Sequence, residues 1–293
     1  MKIAVRILVV GLASSWSVCF AATPQQTWER ELAEANVAWA KAHFAILKIQ
    51  DAAYLRNGDV ATLVGVKGKP ETYHWTKGAV PGGALTATVK GGHPSVTMGG
   101  KTYSEAEIGK GVPVADAIDI RGTPTQVSAG VIGARIMVYN QNAKAAKDFT
   151  GVDFFPYNAA YRVTAAFKAD PKRPARVFRT SRGTDKEFFH AGDATFVLEG
   201  KNVTLPFYAD DQKKIEEMSA FFVDDLTGKQ TYGAGRYVDV GGYGVFPPKT
   251  VTIDFNEAYN PNCARSPFYT CPVAIDVIPT AVRAGERDPH VAH

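Results

Sequence analysis

The chain has 293 residues, of which 45% are hydrophobic, and its formal net charge at neutral pH is +4. This composition is that of a globular protein and excludes a disordered chain. A charge so near zero argues against a nucleic-acid or membrane surface that works through bulk charge.

The first 21 residues have the three parts of a cleavable secretory signal peptide. Lys2 and Arg6 form a positive region, Ile7–Ala13 is a short apolar core, and small residues suit cleavage after Ala21. A membrane span needs roughly 20 uninterrupted apolar residues, and Arg6 and Ser14–Ser17 leave too few here. The sequence therefore predicts a periplasmic or secreted protein with no membrane span once residues 1–21 are removed.

Residues 22–50 are predicted to hold one amphipathic helix of roughly 20–25 residues. Thr23 is a suitable cap, Pro24 suits the first helical position, and Gln26 has the spacing of a capping box. Apolar residues then recur every three or four positions at Trp28, Leu32, Ala35, Trp39, Ala42 and Ile46. We expect this stripe to pack on the rest of the chain; a helix that docks on a partner protein is the alternative.

Residues 51–286 are predicted to form one β-rich domain, because short apolar runs alternate with glycine-containing turns. The predicted strands are Ala61–Val66, Leu85–Val89, Ser95–Met98, Thr125–Ala129, Ala134–Tyr139, Tyr161–Phe167, Thr195–Leu198, Asn202–Phe207, Ala220–Val223, Tyr232–Val240 and Thr250–Phe255. Since no long helices alternate with them, the fold class is mainly β, with antiparallel sandwich or barrel-like sheets.

Smaller features complete this organisation. Glu199–Lys201 is predicted to turn a β-hairpin, and Lys213–Met218 and Asn142–Asp148 to form short helical turns. A soft subdivision of the β-rich domain falls near residues 112–123. Residues 287–293 have no apolar pattern and are predicted to be a flexible tail.

Familiar catalytic motifs are missing from the sequence. It contains no G-x-S-x-G, no H-E-x-x-H and no phosphate-binding loop, and its six histidines are scattered. The sequence therefore assigns no reaction, no cofactor and no metal site, and it leaves open whether the protein is an enzyme.

The densest group of polar side chains lies in the last third of the chain, where each follows an apolar run. The candidate ligand-binding residues are Asp224, Thr227, Tyr232, Arg236, Asp254, Asn256, Tyr259 and Asn260. Gly233 and Gly235 carry no side chain, so an anion could reach the Arg236 guanidinium and a backbone N–H together. The alternative is structural: Arg236 pairs with Asp224 or Asp254, and Asp224–Gly228 is a turn.

Cleavage after Ala21 would remove Cys19 and leave an even number of cysteines, Cys263 and Cys271. A pair in an oxidising compartment favours a disulfide, worth on the order of 2–3 kcal/mol for so short a loop. Two free thiols or half of a metal site are the alternatives. A lipid anchor on Cys19 is disfavoured, because Trp16 and Val18 do not suit the usual small-residue signal.

Three segments give the chain a family resemblance. The first is Asp254–Cys263, which is followed by Thr270–Pro272 and Ala284–Glu286. The second is Thr231–Arg236. The third is Phe149–Pro156, which is followed by Tyr161–Val163. Together they resemble the bacterial Domain of Unknown Function 1684 family, over roughly Trp28 to Glu286. Thr231–Arg236 is similar to its T-Y-G-x-G-R segment.

The N-terminal part departs from the family pattern. Members tend to carry a G-W-L-x-L-x-G-L-x-W-L stretch after the first helix, of which Phe44–Leu55 keeps little. The resemblance implies a mostly β fold and indicates no activity. Members without an obvious export signal carry the two cysteines as well, which supports free thiols or metal ligation relative to a disulfide.

Three functions compete on this sequence. The first is a binding protein that holds a small polar or anionic ligand near Arg236. The second is a hydrolase-type enzyme that uses Asp224 and Asp254 or a reactive cysteine, for which convergent side chains and shifted pKa values would be expected. The third is an envelope scaffold, for which an exposed apolar patch would be expected. The oligomeric state is not indicated.

Overall fold

The computed structural model describes residues 22–290. The predicted signal peptide and the last three residues of the predicted tail lie outside this range. Within it, antiparallel β-sheets dominate and an N-terminal helix precedes them, which confirms the predicted fold class. No helix in the described range has both the length and the apolar composition needed to cross a membrane.

Helix α1 spans Pro24–Ala40 and begins with the predicted capping box, in which Thr23 and Gln26 bond reciprocally. It is shorter than expected, because the chain turns after Ala40 and Ile46 falls in a separate 3-10 turn, Ile46–Lys48. The Trp28 indole N–H donates to the Asn256 carbonyl at 2.8 Å. The helix therefore packs on the C-terminal half of the chain, as its apolar stripe predicts.

Two antiparallel sheets share the first hydrophobic core. Their strands are β1 (Ile49–Leu55), β2 (Val60–Val66), β3 (Lys69–Lys77), β4 (Leu85–Lys90), β5 (His93–Met98), β6 (Lys101–Tyr103), β7 (Val112–Ala115), β8 (Ile118–Ser128) and β9 (Val131–Asn140), with helix α2 (Glu105–Lys110) between β6 and β7. One sheet has the order β3-β2-β4-β5-β6 and the other β1-β9-β8-β7. Residues 112–123, where the sequence places a subdivision, include β7 and the start of β8, which pair with each other.

The second half of the chain begins with helix α3 (Lys144–Lys147), inside the helical turn predicted for Asn142–Asp148. An eight-stranded, nearly closed barrel-like sheet follows. Its strands are β10 (Arg162–Ala169), β11 (Ala175–Arg179), β12 (Asp185–Leu198), β13 (Lys201–Ala209), β14 (Glu217–Val223), β15 (Arg236–Gly241), β16 (Thr250–Asp254) and β17 (Asp276–Val277). The main path is β15-β14-β13-β12-β10-β16, and only β17 pairs in parallel, with β14.

The hairpin predicted at Glu199–Lys201 is present: β12 and β13 pair up to Leu198 and Lys201, and Glu199 and Gly200 both take positive φ. The helical turn predicted at Lys213–Met218 is wrong. There the Asp211 carboxylate accepts the backbone N–H of Lys213 at 2.6 Å and of Lys214 at 3.1 Å, which makes a turn that leads directly into β14.

The predicted tail is anchored where it is described. The Arg287 N–H donates to the Asp153 carbonyl at 2.9 Å, and the Asp288 N–H donates to the Gln230 carbonyl at 3.0 Å. Residues 287–290 therefore lie against the domain.

Candidate functional site

Arg236, the centre of the predicted site, is the first residue of β15 and its side chain is 1% exposed. Its Nη2 lies 3.0 Å from Asp224 Oδ2 and donates to the Val282 carbonyl at 2.9 Å. Its Nη1 donates to the carbonyl of Ala284. Burial lowers the pKa of Arg236, and the Asp224 carboxylate opposes that shift. The guanidinium thus binds acceptors of the protein and ties residues 282–284 to the sheet.

Asp224 and Thr227 complete this buried network. Asp224 Oδ2 also accepts the Val282 N–H at 2.9 Å, and Asp224 Oδ1 accepts the Thr227 hydroxyl at 3.1 Å. Thr227 Oγ1 in turn accepts the Asp224 N–H at 2.9 Å. The turn that the sequence predicts at Asp224–Gly228 therefore fixes the position of Asp224, the acidic partner in the ion pair.

The space beside Gly235 is filled by protein. Gly235 has φ +85°, and a Cβ built there would lie 2.4 Å from the Ala274 Cβ and 2.6 Å from the Phe222 carbonyl oxygen. Gly233 has open space instead. The glycine at 235 is therefore explained by backbone conformation and close packing, and an approaching ligand is not needed to account for it.

The other predicted residues belong to separate networks. Asp254 Oδ1 accepts the side-chain N–H of Asn256 at 2.8 Å, and Asn256 bonds both backbone groups of Asn158. Asn260 donates to the Glu286 carboxylate from its backbone at 2.7 Å and from its side chain at 2.9 Å. These bonds order the loop after β16 and the segment that contains Glu286.

Tyr232 and the two cysteines form a third group. Cys263 and Cys271 are free thiols in the structure. Their side chains hydrogen-bond with each other, and the Tyr232 hydroxyl bonds the Cys263 sulfur. A disulfide between the two stays a prediction.

Tyr259 points elsewhere, into a cavity of about 440 Å³ against β12, β13, β14 and β15. We call this cavity the aromatic pocket and define it by six of its lining residues: Lys186, Tyr208, Ser219, Phe221, Tyr237 and Tyr259. Aromatic rings pack around it in several orientations. Phe178–Phe221 is edge-to-face at 5.2 Å, Phe221–Tyr237 is tilted at 4.6 Å and Tyr208–Phe221 is stacked at 5.8 Å between centroids.

Strand alternation places the aromatic pocket and the barrel core on opposite faces of one sheet. Along β15, Val238 and Val240 belong to the main core, while Tyr237 and Asp239 point to the pocket side. Along β14, Phe222 belongs to the main core and Phe221 to the aromatic cluster. Arg236 and Tyr237 are adjacent in sequence, yet their side chains lie on opposite faces of the sheet.

A carboxylate beside the pocket, that of Asp239, binds two of the side chains that line it. Asp239 accepts the Ser219 hydroxyl at 2.6 Å through Oδ1 and the Tyr259 hydroxyl at 2.9 Å through Oδ2. Burial, followed by the charge of Asp239, raises the pKa of Tyr259, so its hydroxyl stays protonated and donating. Burial also lowers the pKa of Lys186. Perturbed groups that converge in a cavity are a general mark of functional sites.

The charge around the pocket is mostly negative. Asp210, Asp211, Glu216 and Glu217 line it together with the lysines Lys186 and Lys214. Lys214 already pairs with Glu216 at 3.0 Å. The carboxylates therefore outnumber the cations, which disfavours an anionic occupant.

A second cavity, of about 420 Å³, is lined by Arg265, Arg287 and His290. Its arginines are engaged: Arg265 pairs with Glu286, and Arg287 Nη1 lies 3.3 Å from Asp153 Oδ2. In residues 22–290, no group of three or more His, Cys, Asp or Glu side chains is placed to hold a metal ion. The aromatic pocket is thus the better candidate for a ligand site.

The sequence predicts Tyr259 as a site residue, but it does not predict Lys186, Ser219 and Tyr237 of the pocket or the neighbouring Asp239. A signal for three of them was present, because Ser219 and Phe221 on β14, and Tyr237 and Asp239 on β15, alternate with apolar residues. Alternation gives no signal for Lys186, because β12 begins at Asp185 and the predicted strand begins only at Thr195.

Comparison with known proteins gives a match to a family model and similarities to solved structures. A search of curated proteins gave no match. The solution NMR structure of an uncharacterised protein from Haloarcula marismortui is 28% identical, with a TM-score of 0.43, over 49% of this chain and 80% of that one. The family model of the protein of unknown function DUF1684 matches residues 147–287, which span the barrel-like sheet, the Arg236 network and the aromatic pocket. Residues 147–287 therefore match the DUF1684 family, which supports the resemblance that the sequence motifs indicate.

Proposed function

We propose that this protein is an exported binding protein whose aromatic pocket holds a small polar ligand with one apolar face. The observation that carries the proposal is the pair of partly buried hydrogen bonds that Asp239 accepts from Ser219 and Tyr259, beside the rings of Tyr208, Phe221 and Tyr237. Ligand sites combine apolar walls with a few fixed polar groups in this way.

The pocket supports a ligand site better than the surroundings of Arg236 do. The Arg236 donors bind Asp224 and the carbonyls of Val282 and Ala284, so an incoming anion would have to break buried bonds. In the pocket, by contrast, the 440 Å³ cavity falls within the size range of small-molecule sites, roughly 300–1,000 Å³.

The charged residues that line the pocket limit the chemical class of ligand that it can bind. Four acidic residues line the pocket against two lysines, one of which is paired. Aromatic faces with carboxylates favour a ligand that carries hydroxyl or ammonium groups, since such groups donate to carboxylates and an ammonium is attracted to a ring face.

Thermal-shift screening tests this proposal with three sets of compounds: neutral polyols and sugars, organic amines, and organic anions. We expect hits in the first two sets with the wild type and loss of the shift in Asp239→Asn. The matched control is Asp225→Asn, which removes an exposed carboxylate from the Asp224–Gly228 turn. Hits confined to anions, or hits that Asp239→Asn leaves unchanged, would contradict the proposal.

The cellular location of the protein is part of the same proposal. Residues 1–21 have the order of a secretory signal, and a periplasmic or secreted location would bring the pocket into contact with extracellular small molecules.

A further inference from the structure

The two cysteines form an asymmetric pair outside the aromatic pocket. Cys271 is buried, and Cys263 is partly exposed in the 3-10 turn Asn262–Ala264. The two side chains hydrogen-bond with each other although seven residues separate them along the chain. Cys263 is thus the more exposed of the two neighbouring residues.

Two side chains that carry hydroxyl groups lie beside Cys263. The side chains of Ser181 and Tyr232 both hydrogen-bond Cys263. Ser181 is fixed against the other cysteine: its N–H donates to the Cys271 carbonyl at 2.8 Å, and its Oγ accepts the Cys271 N–H at 3.3 Å. The turn between β11 and β12 thus supplies part of the cysteine environment.

These contacts differentiate the two thiols chemically. Hydrogen bonds from Cys271, Ser181 and Tyr232 lower the pKa of Cys263, because they stabilise its thiolate. The pKa of Cys271 is raised, first by its bond to Cys263 and then by burial. A thiolate on a partly exposed residue, beside a protonated and buried thiol, is the arrangement in which the first attacks a disulfide and the second resolves the product.

We propose that Cys263 and Cys271 are a reversible thiol–disulfide exchange site for low-molecular-weight disulfides such as oxidised glutathione. The Cys263 thiolate attacks one sulfur of the oxidant, forms a mixed disulfide and releases one glutathione thiolate. Cys271 then loses its proton to solvent and attacks the Cys263 sulfur, which expels the second glutathione thiolate. The protein loses two electrons and two protons, and one oxidised glutathione becomes two reduced molecules.

The loop that a Cys263–Cys271 disulfide would close lies in the C-terminal half of the chain and contacts the N-terminal half. Residues 264–270 lie between the cysteines, and the Tyr54 hydroxyl of β1 donates to the Phe268 carbonyl at 2.9 Å. The Arg135 guanidinium of β9 lies 4.9 Å from the Tyr269 ring centroid. Oxidation would therefore constrain the loop through which the C-terminal half contacts the N-terminal sheets.

Titration of the purified protein with glutathione buffers of stated ratio tests the proposal. Peptide mapping follows the Cys263–Cys271 cross-link and distinguishes it from any product of Cys19. We expect the cross-link to form and reopen as the ratio changes, and limited iodoacetamide to label Cys263 before Cys271 in the reduced protein.

Variants separate this chemistry from a structural role. Cys271→Ser should stop at a glutathione mixed disulfide on Cys263. Ser181→Ala and Tyr232→Phe should each move the pH midpoint of Cys263 alkylation upward, towards the ordinary thiol value of about 8.5. The matched controls Ser266→Ala and Tyr103→Phe should leave it unchanged. If a variant does not fold, the labelling order in the wild type still decides.

Three results would overturn the proposal: no cross-link at any ratio, a permanent bridge that reduced glutathione does not open, or labelling of Cys271 before Cys263. The second result would instead identify a structural disulfide.

Discussion

Arg236 and Asp224 form an ion pair whose side chains are 1% and 0% exposed, with Nη2 and Oδ2 3.0 Å apart. The same two side chains bond the backbone of Val282 from both sides, through its carbonyl and its N–H. The pair therefore fastens the segment after β17 to β15, and its chemistry is used within the protein.

Replacing Arg236 should destabilise the fold strongly. In Arg236→Met, Asp224 would keep a buried charge without its partner, and the carbonyls of Val282 and Ala284 would lose donors, so we expect a loss of about 3–5 kcal/mol. Urea denaturation measures it. The matched control is Arg162→Met: Arg162 is 43% exposed and lies 3.4 Å from Asp254, and its loss should cost at most about 1 kcal/mol. Equal losses in the two variants would contradict a structural role for the buried pair.

Gly235→Ala should be more costly than Gly228→Ala. Both glycines have positive φ, +85° and +73°, but only at Gly235 does a new Cβ meet neighbours, the nearest at 2.4 Å. The backbone strain of about 1–2 kcal/mol is common to both, and overlap with Ala274 and Phe222 adds roughly 1–3 kcal/mol at Gly235. The difference between the losses of unfolding free energy in the two variants measures the cost of steric overlap at Gly235. If Gly228→Ala were as destabilising, close packing at Gly235 would not be the reason for that glycine.

The sequence predicts elements well where local chemistry determines them. The Thr23 capping box, the strongly alternating strands and the Glu199–Gly200 turn are read correctly because each depends on neighbouring residues. Helix α2 was missed although Ser104 and Glu107 carry the same capping-box signal. Strands β1, β3, β6, β7, β11 and β17 were missed, because they are short, their pairing partners lie far away or their apolar alternation is weak.

The candidate site was harder to predict, because it depends on which face of a strand a residue takes. Arg236, in the most conspicuous motif, turns inward to Asp224, while its neighbour Tyr237 faces the pocket. Pairing of β15 with β14, of β14 with β13 and of β13 with β12 brings Tyr237, Ser219 and Lys186 to one cavity. No local spacing encodes that convergence.

Lys186 provides a pH-dependent test of the pocket. Burial lowers its pKa in the folded protein, so the charged form opposes folding, and that penalty disappears as pH rises from the folded pKa to the unfolded value of about 10.4. Lys186→Met should therefore be more stable than the wild type at neutral pH, with an advantage that shrinks as pH rises. Denaturant unfolding at several pH values measures this.

Lys214→Met is the matched control for that series, because Lys214 is exposed at the rim of the same pocket. Its stability relative to the wild type should stay nearly constant with pH. A constant advantage for Lys186→Met across the range would show that the lysine is not desolvated in the folded state.

Export can be tested on the chain itself. Expression with the native N-terminus should yield a periplasmic or secreted product that begins at Ala22, because the signal region ends in small residues before that position. Intact mass and N-terminal sequencing give the result. A product that retains Met1, or that carries a lipid on Cys19, would contradict the predicted processing.

Amide chemical-shift mapping with a hit from the thermal-shift screen is the decisive measurement for the aromatic pocket, because it locates the ligand without assuming its chemistry. We expect the largest changes on Lys186, Tyr208, Ser219, Tyr237 and Tyr259, and we expect them to vanish in Asp239→Asn. Changes centred instead on Asp224 and Arg236, or on the cavity of Arg265 and Arg287, would contradict this expectation.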